Sequence, residues 1–234
     1  MSFYFCPMHV FITRAQTLNS EFSRLLRAQG WEVYGQSLIT LEPLPFEAIP
    51  DCDWIFFSSK NAVHFFFQQV RKQDIPLPAV QWAALGAATA LALSSYVEIV
   101  DFMGNGDPEF SAKVFQTRPI TTPSVRVLFP AARHSMKSIA SYLDDHFQAI
   151  HLEVYNNQPI ACPPQRNDQV LVFTSPMNAR SYFSRYPLLP FQKVVAIGAT
   201  TAKALHRLGI SDVKTAAVAN ERSLAEIIGM RDEG

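Results

Sequence analysis

Small hydroxyl residues follow two short apolar runs in this chain, and such residues are well suited to bind an anion. One run ends in the turn at residues 58–61 and the other in the turn at residues 174–176. Each turn precedes a helical pattern, so it lies where a strand ends and a helix begins. Free N–H groups and the helix dipole favour anions at such positions. Plain N-capping, which stabilises a helix by about 1 kcal/mol, is the alternative for a single turn.

Two further turns begin with a glycine that is followed by alanines and threonines. Gly86 and Gly198 each open such a run directly after an apolar stretch. Small residues let a ligand approach the backbone, and they equally let a helix pack closely on a sheet. Neither run matches the G-x-G-x-x-G or Walker A sequence that binds nucleotide phosphates. The sequence leaves both uses of these glycines open.

Four basic residues, Arg14, Lys60, Arg133 and His134, stand at or just after predicted strand ends, where they could attract an anion. An ordinary surface charge is the alternative for each of them. The six histidines show no metal-ligand spacing. The chain also lacks the G-x-S-x-G sequence of a serine nucleophile. We therefore predict no metal, no cofactor and no serine nucleophile.

The turns belong to a repeat that organises the whole chain. The phrases at residues 53–60 and 83–93 recur, in the same order, at residues 169–176 and 194–205. A short apolar strand, a small-residue turn and a helix in succession form the βα unit of a parallel sheet. The repeat therefore predicts an α/β protein with two copies of one architecture.

The order of the copies predicts that one domain is inserted in the other. The unit at residues 8–34 resembles the unit at residues 125–155, so the first copy is interrupted and resumes near residue 169. Two extended segments are the natural chain crossings, and they could pair as a two-stranded ladder. The predicted parts are a discontinuous domain of residues 1–36 and 157–234, an inserted domain of residues 40–153, and linker strands at residues 37–45 and 151–159.

Hydrophobic spacing predicts several local elements. Leu18 joins the apolar face of the first helix, residues 97–102 form a strand, and residues 139–147 form a helix. Ser223 and Glu226 match the S-x-x-E capping box and therefore predict the start of the last helix.

Composition restricts the partners of the protein. The chain carries 20 basic and 20 acidic residues, so no net charge attracts it to nucleic acid or to an anionic membrane. The start lacks a basic n-region, and no stretch approaches the length of a membrane span. Cys6, Cys52 and Cys162 are widely scattered, which favours free thiols in a reducing compartment. We expect a cytoplasmic protein, and a monomer because nothing in the sequence requires an oligomer.

Several phrases, taken in order, resemble the uroporphyrinogen-III synthase family and span nearly the whole chain. These phrases are Ile12-Thr13-Arg14, Phe57-Ser58-Ser59-Lys60-Asn61-Ala62-Val63, Val154-Tyr155, Phe173-Thr174-Ser175-Pro176, Ala196-Ile197-Gly198-Ala199-Thr200-Thr201-Ala202 and Ser223-Leu224. The resemblance implies two flavodoxin-like α/β domains joined by a two-stranded β-ladder, in agreement with the inserted domain expected from the repeat.

The resemblance also implies a cofactor-independent lyase of tetrapyrrole (haem) biosynthesis. Its substrate is linear hydroxymethylbilane, and the enzyme removes water and closes the macrocycle with inversion of the terminal pyrrole ring. That substrate carries many carboxylates, which backbone and hydroxyl donors suit. The expected substrate-binding residues are Thr13, Arg14, Ser58, Ser59, Lys60, Asn61, Gly86, Arg133, Thr174, Ser175, Gly198, Thr200 and Thr201.

Tyr155 is the candidate catalytic residue by the same resemblance. A phenol is protonated at neutral pH and can donate a hydrogen bond or a proton to a departing hydroxyl group. The alternative is a tyrosine that only packs on an extended strand, as Tyr34 could do in the first copy.

Two other functions share the duplicated α/β architecture. A two-domain protein that binds a small anion or another solute without catalysis would normally carry an export signal, which we do not find. A nucleotide- or sugar-dependent transferase would normally carry a glycine-rich phosphate loop, which is also absent from the sequence.

Overall fold

The computed structural model describes residues 8–119, 124–133, 135 and 139–229, which form both strands and helices. The strands are β1 (Met8–Ile12), β2 (Trp31–Gly35), β3 (Ile39–Pro43), β4 (Trp54–Phe57), β5 (Gln81–Ala84), β6 (Phe102–Met103), β7 (Val125–Ala132), β8 (Phe147–Pro159), β9 (Val170–Phe173), β10 (Lys193–Ala196) and β11 (Val213–Thr215). The helices are α1 (Glu21–Arg27), α2 (Lys60–Gln73), α3 (Ala87–Leu93), α4 (Pro108–Gln116), α5 (Pro176–Phe183), α6 (Ala199–Arg207) and α7 (Glu221–Gly229).

The chain divides into two compact units. The first unit combines Met1–Thr40 with Gln158–Gly234, and the second is the continuous segment Leu41–Asn157. None of the helices in the described ranges is long and apolar enough to cross a membrane.

The sheet of the first unit has the strand order β2-β1-β9-β10-β11, and all of its neighbouring strands are parallel. Its central strand β9 is buried at every position, as a parallel sheet covered on both faces requires. One apolar cluster packs α1 and α7 against the sheet, and a second cluster involves α5 and α6. β2 lies on one side of β1 and the later strands lie on the other, so the strand order reverses between β1 and β9.

The second sheet has the order β3-β8-β7-β4-β5-β6, and the strands from β8 to β6 are parallel neighbours. If β7 and β8 correspond to β1 and β2, its five parallel strands repeat the order of the first sheet. The reversal then falls between β7 and β4. The prediction of an α/β fold with parallel sheets is confirmed.

Two predicted helical features are wrong. The hydrophobic spacing places Phe147 at the end of a helix, but this residue opens β8 and pairs with Val125, so sheet pairing prevails over the helical spacing. The described part of that segment contains only a 3-10 turn at Ala140–Tyr142. Leu18 is 74% exposed because α1 begins later, at Glu21.

Two other local predictions also need correction. Of the strand expected at residues 97–102 only Phe102 is in a strand, as the first residue of β6, and the carboxylate of Asp101 accepts a hydrogen bond from the Trp82 N–H. Ser223 does not start the last helix, because α7 begins at Glu221. The side chain of Asn220 accepts a hydrogen bond from the Ser223 N–H at 2.8 Å and fills the capping position.

The thiols of Cys52 and Cys162 are free, as expected, whereas Cys6 lies outside the described residues. Cys52 is buried beneath the second sheet's helices, and this burial raises the pKa of its thiol to about 11. It therefore stays protonated and serves as a small apolar core residue.

Gly104 follows β6 and lets two turns of the second unit pack together. A Cβ atom at this position would meet the Ser111 hydroxyl and would lie 2.6 Å from the carbonyl oxygen of Leu85. A Cβ atom at Gly198 would meet only Ala219, at 4.0 Å, among the described residues. The two glycines therefore differ sharply in the space around them.

We expect Gly104→Ala to lower the free energy of unfolding by about 1–3 kcal/mol, because the added methyl group overpacks against backbone. Gly198→Ala is the matched control, and its effect should stay within about 0.5 kcal/mol. Urea unfolding of both variants measures the difference, and equal stabilities would contradict this account of Gly104.

Candidate functional site

The site residues of the first unit lie where its sheet reverses direction. Thr13 follows β1 and Thr174 follows β9, its neighbour. The Thr174 N–H donates to the Thr13 hydroxyl oxygen at 2.9 Å, and the Thr174 hydroxyl donates to the Thr13 carbonyl oxygen at 2.9 Å. Thr174 donates both hydrogen bonds, and this threonine pair holds two turns together at the carboxyl edge of the sheet, where ligands of open α/β sheets bind.

Ser175 stands next to this pair and caps α5. Its Oγ accepts hydrogen bonds from the Asn178 N–H at 3.2 Å and from Asn178 Nδ2 at 3.0 Å. Pro176 then occupies the first helical position, which needs no N–H donor of its own.

Gly198 provides the third turn of this edge, between β10 and α6. Its φ of −179° is extended backbone that any residue adopts, and the space around its Cα is open. No side chain of the described residues caps α6, so its first N–H groups remain available to a ligand. Thr200 is exposed on the first turn, whereas Thr201 is buried, so only Thr200 presents its side chain at the surface.

Arg14 is a cation of this edge. Its side chain is 45% exposed, and its Nη1 lies 4.0 Å from a carboxylate oxygen of Glu221. Glu221 also accepts hydrogen bonds from Gln16 and from the Phe22 N–H at the start of α1. At such exposure the ion pair is weak, so the guanidinium can turn toward an anion.

The second unit presents a similar turn after β4. Ser58 and Ser59 are partly exposed, and Ser59 caps α2 by accepting the Ala62 N–H at 3.2 Å. Lys60 and Asn61 are exposed on the first turn of this helix. The turn therefore combines backbone donors, hydroxyl groups and a positive charge at the carboxyl edge of the sheet.

Gly86 differs from Gly198 although the two sequences around them are alike. It begins the turn between β5 and α3, and a Cβ atom there would lie 3.1 Å from the Cα of Gly106. Close packing is therefore seen at Gly86, but against the turn at Gly106 rather than between a helix and the sheet, and the space around Gly198 is open.

Arg133, which follows β7, contacts Tyr155 on the neighbouring strand β8 of the second sheet. The Arg133 N–H donates to the Tyr155 carbonyl oxygen at 2.8 Å. The Arg133 guanidinium forms a hydrogen-bonded ion pair with Glu153 at 2.9 Å, and both side chains are about half exposed. Arg133 is thus at the expected edge, with its charge partly neutralised, whereas His134 lies outside the described residues.

A β-bulge directs Tyr155 inward. Ala131 pairs with Glu153 and Ala132 with Tyr155, so Val154 is an extra residue on β8. Val154 and Tyr155 are consequently both buried, and the Tyr155 ring stacks on Phe65 of α2 with centroids 5.1 Å apart. Within the described ranges, no hydrogen bond to the Tyr155 hydroxyl group is present, which leaves this donor for a ligand.

Tyr34, the counterpart in the first copy, has a different setting. It is 42% exposed on an unbulged strand, and its hydroxyl donates to Glu32 at 2.7 Å. That hydrogen bond raises the pKa of Tyr34. The repeated Glu-Val-Tyr phrase therefore does not produce two equivalent tyrosines.

The polar groups at both edges are chiefly hydrogen-bond donors, which suits carboxylate or other anionic ligands. The described residues contain no group of three or more His, Cys, Asp or Glu side chains that could hold a metal ion. Sequence reasoning missed Asn178, although a polar residue three positions after an N-cap serine is the spacing of a capping box.

We expect Thr13→Val to lower the free energy of unfolding by about 1–3 kcal/mol, because the partly buried Thr174 N–H loses its acceptor. Thr200→Val, a change at an exposed position, is the control and should have little effect. Thermal and urea unfolding of the two variants test whether the threonine pair stabilises the fold, and a fully stable Thr13→Val protein would refute this role.

The structural comparisons agree with the fold described above. A uroporphyrinogen-III synthetase from Helicobacter pylori 26695 superposes with a TM-score of 0.71 at 21% identity, covering 96% of this chain and all of that one. A mutant uroporphyrinogen III synthase from the extremely thermophilic bacterium Thermus thermophilus has a TM-score of 0.58 at 16% identity, covering 94% of this chain and 97% of that one.

The sequence comparisons give the family. A uroporphyrinogen-III synthase from Synechococcus elongatus is 28% identical over 179 residues, a stretch that covers 70% of this chain and 64% of that protein, less than two thirds of its length. The family model described as uroporphyrinogen-III synthase HemD matches residues 20–226. Because this match includes most of the sequence, the chain belongs to the uroporphyrinogen-III synthase family.

Proposed function

We propose that this protein converts linear hydroxymethylbilane to uroporphyrinogen III, with loss of water and inversion of the terminal pyrrole ring. The observation that carries the proposal is the set of donor-rich turns at the carboxyl edge of each sheet. Strands that meet where the order reverses are followed by Thr13 and Thr174 in one sheet, and by Arg133 and Ser58 in the other. Family membership supplies the reaction.

The chemistry of the substrate supports this assignment. Hydroxymethylbilane carries eight carboxylates, and exposed helix starts offer backbone donors and helix dipoles to them. Loss of the terminal hydroxyl group leaves a delocalised cation that needs little covalent assistance. The unassisted reaction closes the ring without inversion, so the main task of the protein is to hold a conformation that leads to inversion. A lyase of this kind requires no cofactor.

Cations have a supporting role in this proposal. Arg14 and Lys60 attract carboxylates by charge, and both are exposed. Arg133 would have to exchange Glu153 for a substrate carboxylate, which the exposed and therefore weak ion pair permits.

The proposed fold has two flavodoxin-like domains, the second inserted in the first. The strand orders of the two sheets support it, since each follows the order 2-1-3-4-5 when β7 is counted as the first strand of the second sheet. We propose domains of residues 1–36 with 157–234, and of residues 40–153. These limits lie within a few residues of the boundaries of the compact units.

The proposed linkers at residues 37–45 and 151–159 form a two-stranded ladder. The Leu44 N–H donates to the Val154 carbonyl oxygen and the Ile160 N–H to the Leu38 carbonyl oxygen, each at 3.0 Å. The earlier residue of the first segment, Leu38, bonds to the later residue of the second, Ile160. The two segments therefore run in opposite directions, which supports an antiparallel pair of β3 and β8.

We also propose that the protein acts as a monomer in the cytoplasm, without a nucleic acid or membrane partner. The net charge of zero supports the absence of such polyanionic partners. Free thiols at Cys52 and Cys162 support a reducing compartment.

The decisive experiment is incubation of the purified protein with hydroxymethylbilane, followed by chromatographic separation of the porphyrin isomers after oxidation. The expected product is the type III isomer. Formation of only the type I isomer at the spontaneous rate would overturn the proposal, and tight binding without conversion would instead indicate a non-catalytic anion-binding protein.

If backbone N–H groups bind most of the substrate carboxylates, removal of a single side-chain hydroxyl group should lower activity only modestly. Ser59→Ala and Ser175→Ala should each lower kcat/KM by about 3–30-fold, which corresponds to about 0.7–2 kcal/mol, because the remaining backbone donors still hold the anion. A thousandfold loss in either variant, with folding intact by circular dichroism, would indicate side-chain catalysis instead.

Tyr155→Phe tests the proposed proton donor. We expect turnover to fall by at least about tenfold, because general-acid assistance typically contributes about 10²–10⁴-fold. Stability should hardly change, because the ring and its stacking on Phe65 remain. Tyr34→Phe is the matched control and should retain turnover. If Tyr155→Phe keeps wild-type turnover and isomer purity, Tyr155 only packs in the core.

A further inference from the structure

Asn178 is a buried polar residue on the first turn of α5, and its side-chain amide links two parts of the first unit. Only 3% of the residue is exposed. Its Oδ1 accepts the Leu38 N–H at 2.7 Å, and its Nδ2 donates to Ser175 Oγ at 3.0 Å. One side chain therefore connects the end of the β2–β3 connection to the cap of α5.

The contact with Leu38 determines which way the amide points. The atom that faces the Leu38 N–H must be an acceptor, so it is Oδ1, and Nδ2 is then directed at Ser175. Leu38 is itself fully buried, and its carbonyl oxygen accepts from the Ser181 hydroxyl at 3.0 Å. With α5 holding both backbone groups of Leu38, the amide cannot readily flip.

The direction of the amide decides what the Ser175 hydroxyl can do. A hydroxyl oxygen has two lone pairs, and those of Ser175 receive the N–H and the Nδ2 of Asn178. The hydroxyl can therefore act only as a donor. Within the described part of the chain, no protein acceptor takes this proton, and Ser175 is partly exposed at the carboxyl edge.

The equivalent serine of the second unit lacks this constraint. Ser59 also caps a helix, but among the described residues its side chain accepts only the Ala62 N–H, because alanine stands where the first unit has Asn178. The Ser59 oxygen keeps a lone pair for a ligand and can accept as well as donate. The two turns, though similar in sequence, therefore differ in polarity.

We propose that Asn178 is a positioning residue that makes the Ser175 hydroxyl an obligate hydrogen-bond donor to a substrate carboxylate. This inference rests on the proposed function and deepens it, since it assigns one class of substrate group to one turn. A donor group of a ligand would find no acceptor at Ser175, so the turn selects acceptor groups, and carboxylates are the main acceptors of the proposed substrate.

A double-mutant cycle tests this role, with uroporphyrin III as the probe. This oxidised form of the product carries the same carboxylates, and its fluorescence reports binding. We expect Asn178→Ala to weaken binding about fivefold when Ser175 is present, and less than about twofold in the Ser175→Ala background. A role of Asn178 only in anchoring Leu38 would give the same factor in both backgrounds, and that result would overturn the inference.

Ser181→Ala is the matched control, because it removes the other contact of α5 with Leu38 and leaves Ser175 untouched. Its effect on binding should be the same in both Ser175 backgrounds. If Asn178→Ala does not fold, Asn178→Asp keeps the acceptor for Leu38 and removes the donor to Ser175. The introduced carboxylate would itself accept the Ser175 proton, so binding should again weaken more with Ser175 present than in the Ser175→Ala background.

The outcomes separate this inference from the proposed function. Non-additive binding effects in a protein that does not convert hydroxymethylbilane would support the role of Asn178 and refute the enzyme. Additive effects in a protein that makes the type III isomer would support the enzyme and refute the role of Asn178. A wild-type protein that does not bind uroporphyrin III would refute the inference.

Discussion

Parallel strands that end at one edge leave the first N–H groups of the following helices facing that edge, and the candidate site depends on this constraint. In this chain Thr13 accepts two hydrogen bonds from Thr174, and Ser59 and Ser175 cap helices. The N–H groups that follow Gly198 have no side-chain cap among the described residues. We propose that structural support and anion binding use the same groups, and that a ligand would complete the hydrogen bonding that the fold leaves open.

Much of the fold could be predicted because strand and turn residues repeat in the same order in both copies. Apolar runs such as β4 and β9 predict buried central strands, and the hydroxyl residues after them predict helix starts. The errors arise where tertiary pairing prevails over local spacing. Phe147 has a helical neighbourhood in sequence but pairs with Val125 in the sheet, and Ser223 resembles a cap but lies beyond Asn220.

The candidate site was predictable in residue type and edge, but not in detail. Gly86 and Gly198 stand in similar phrases, yet only the structure shows that Gly106 fills the space at Gly86. The inward direction of Tyr155 depends on the bulge at Val154, and residue spacing carries no sign of it because Tyr34 has the same neighbours. Long-range contacts decide both features, and a single sequence does not encode them locally.

The two sheets share a strand order, but their strands are distributed differently along the chain, and this affects the order in which the sheets can form during translation. All strands of the second sheet belong to one stretch that ends with β8, whereas β1 must pair with β9 across that whole stretch. On the ribosome, β8 emerges before β9, so the second sheet can form while the first still lacks three of its strands. Closing so long a loop is entropically unfavourable, and a compact intervening unit shortens the distance that the growing chain has to span.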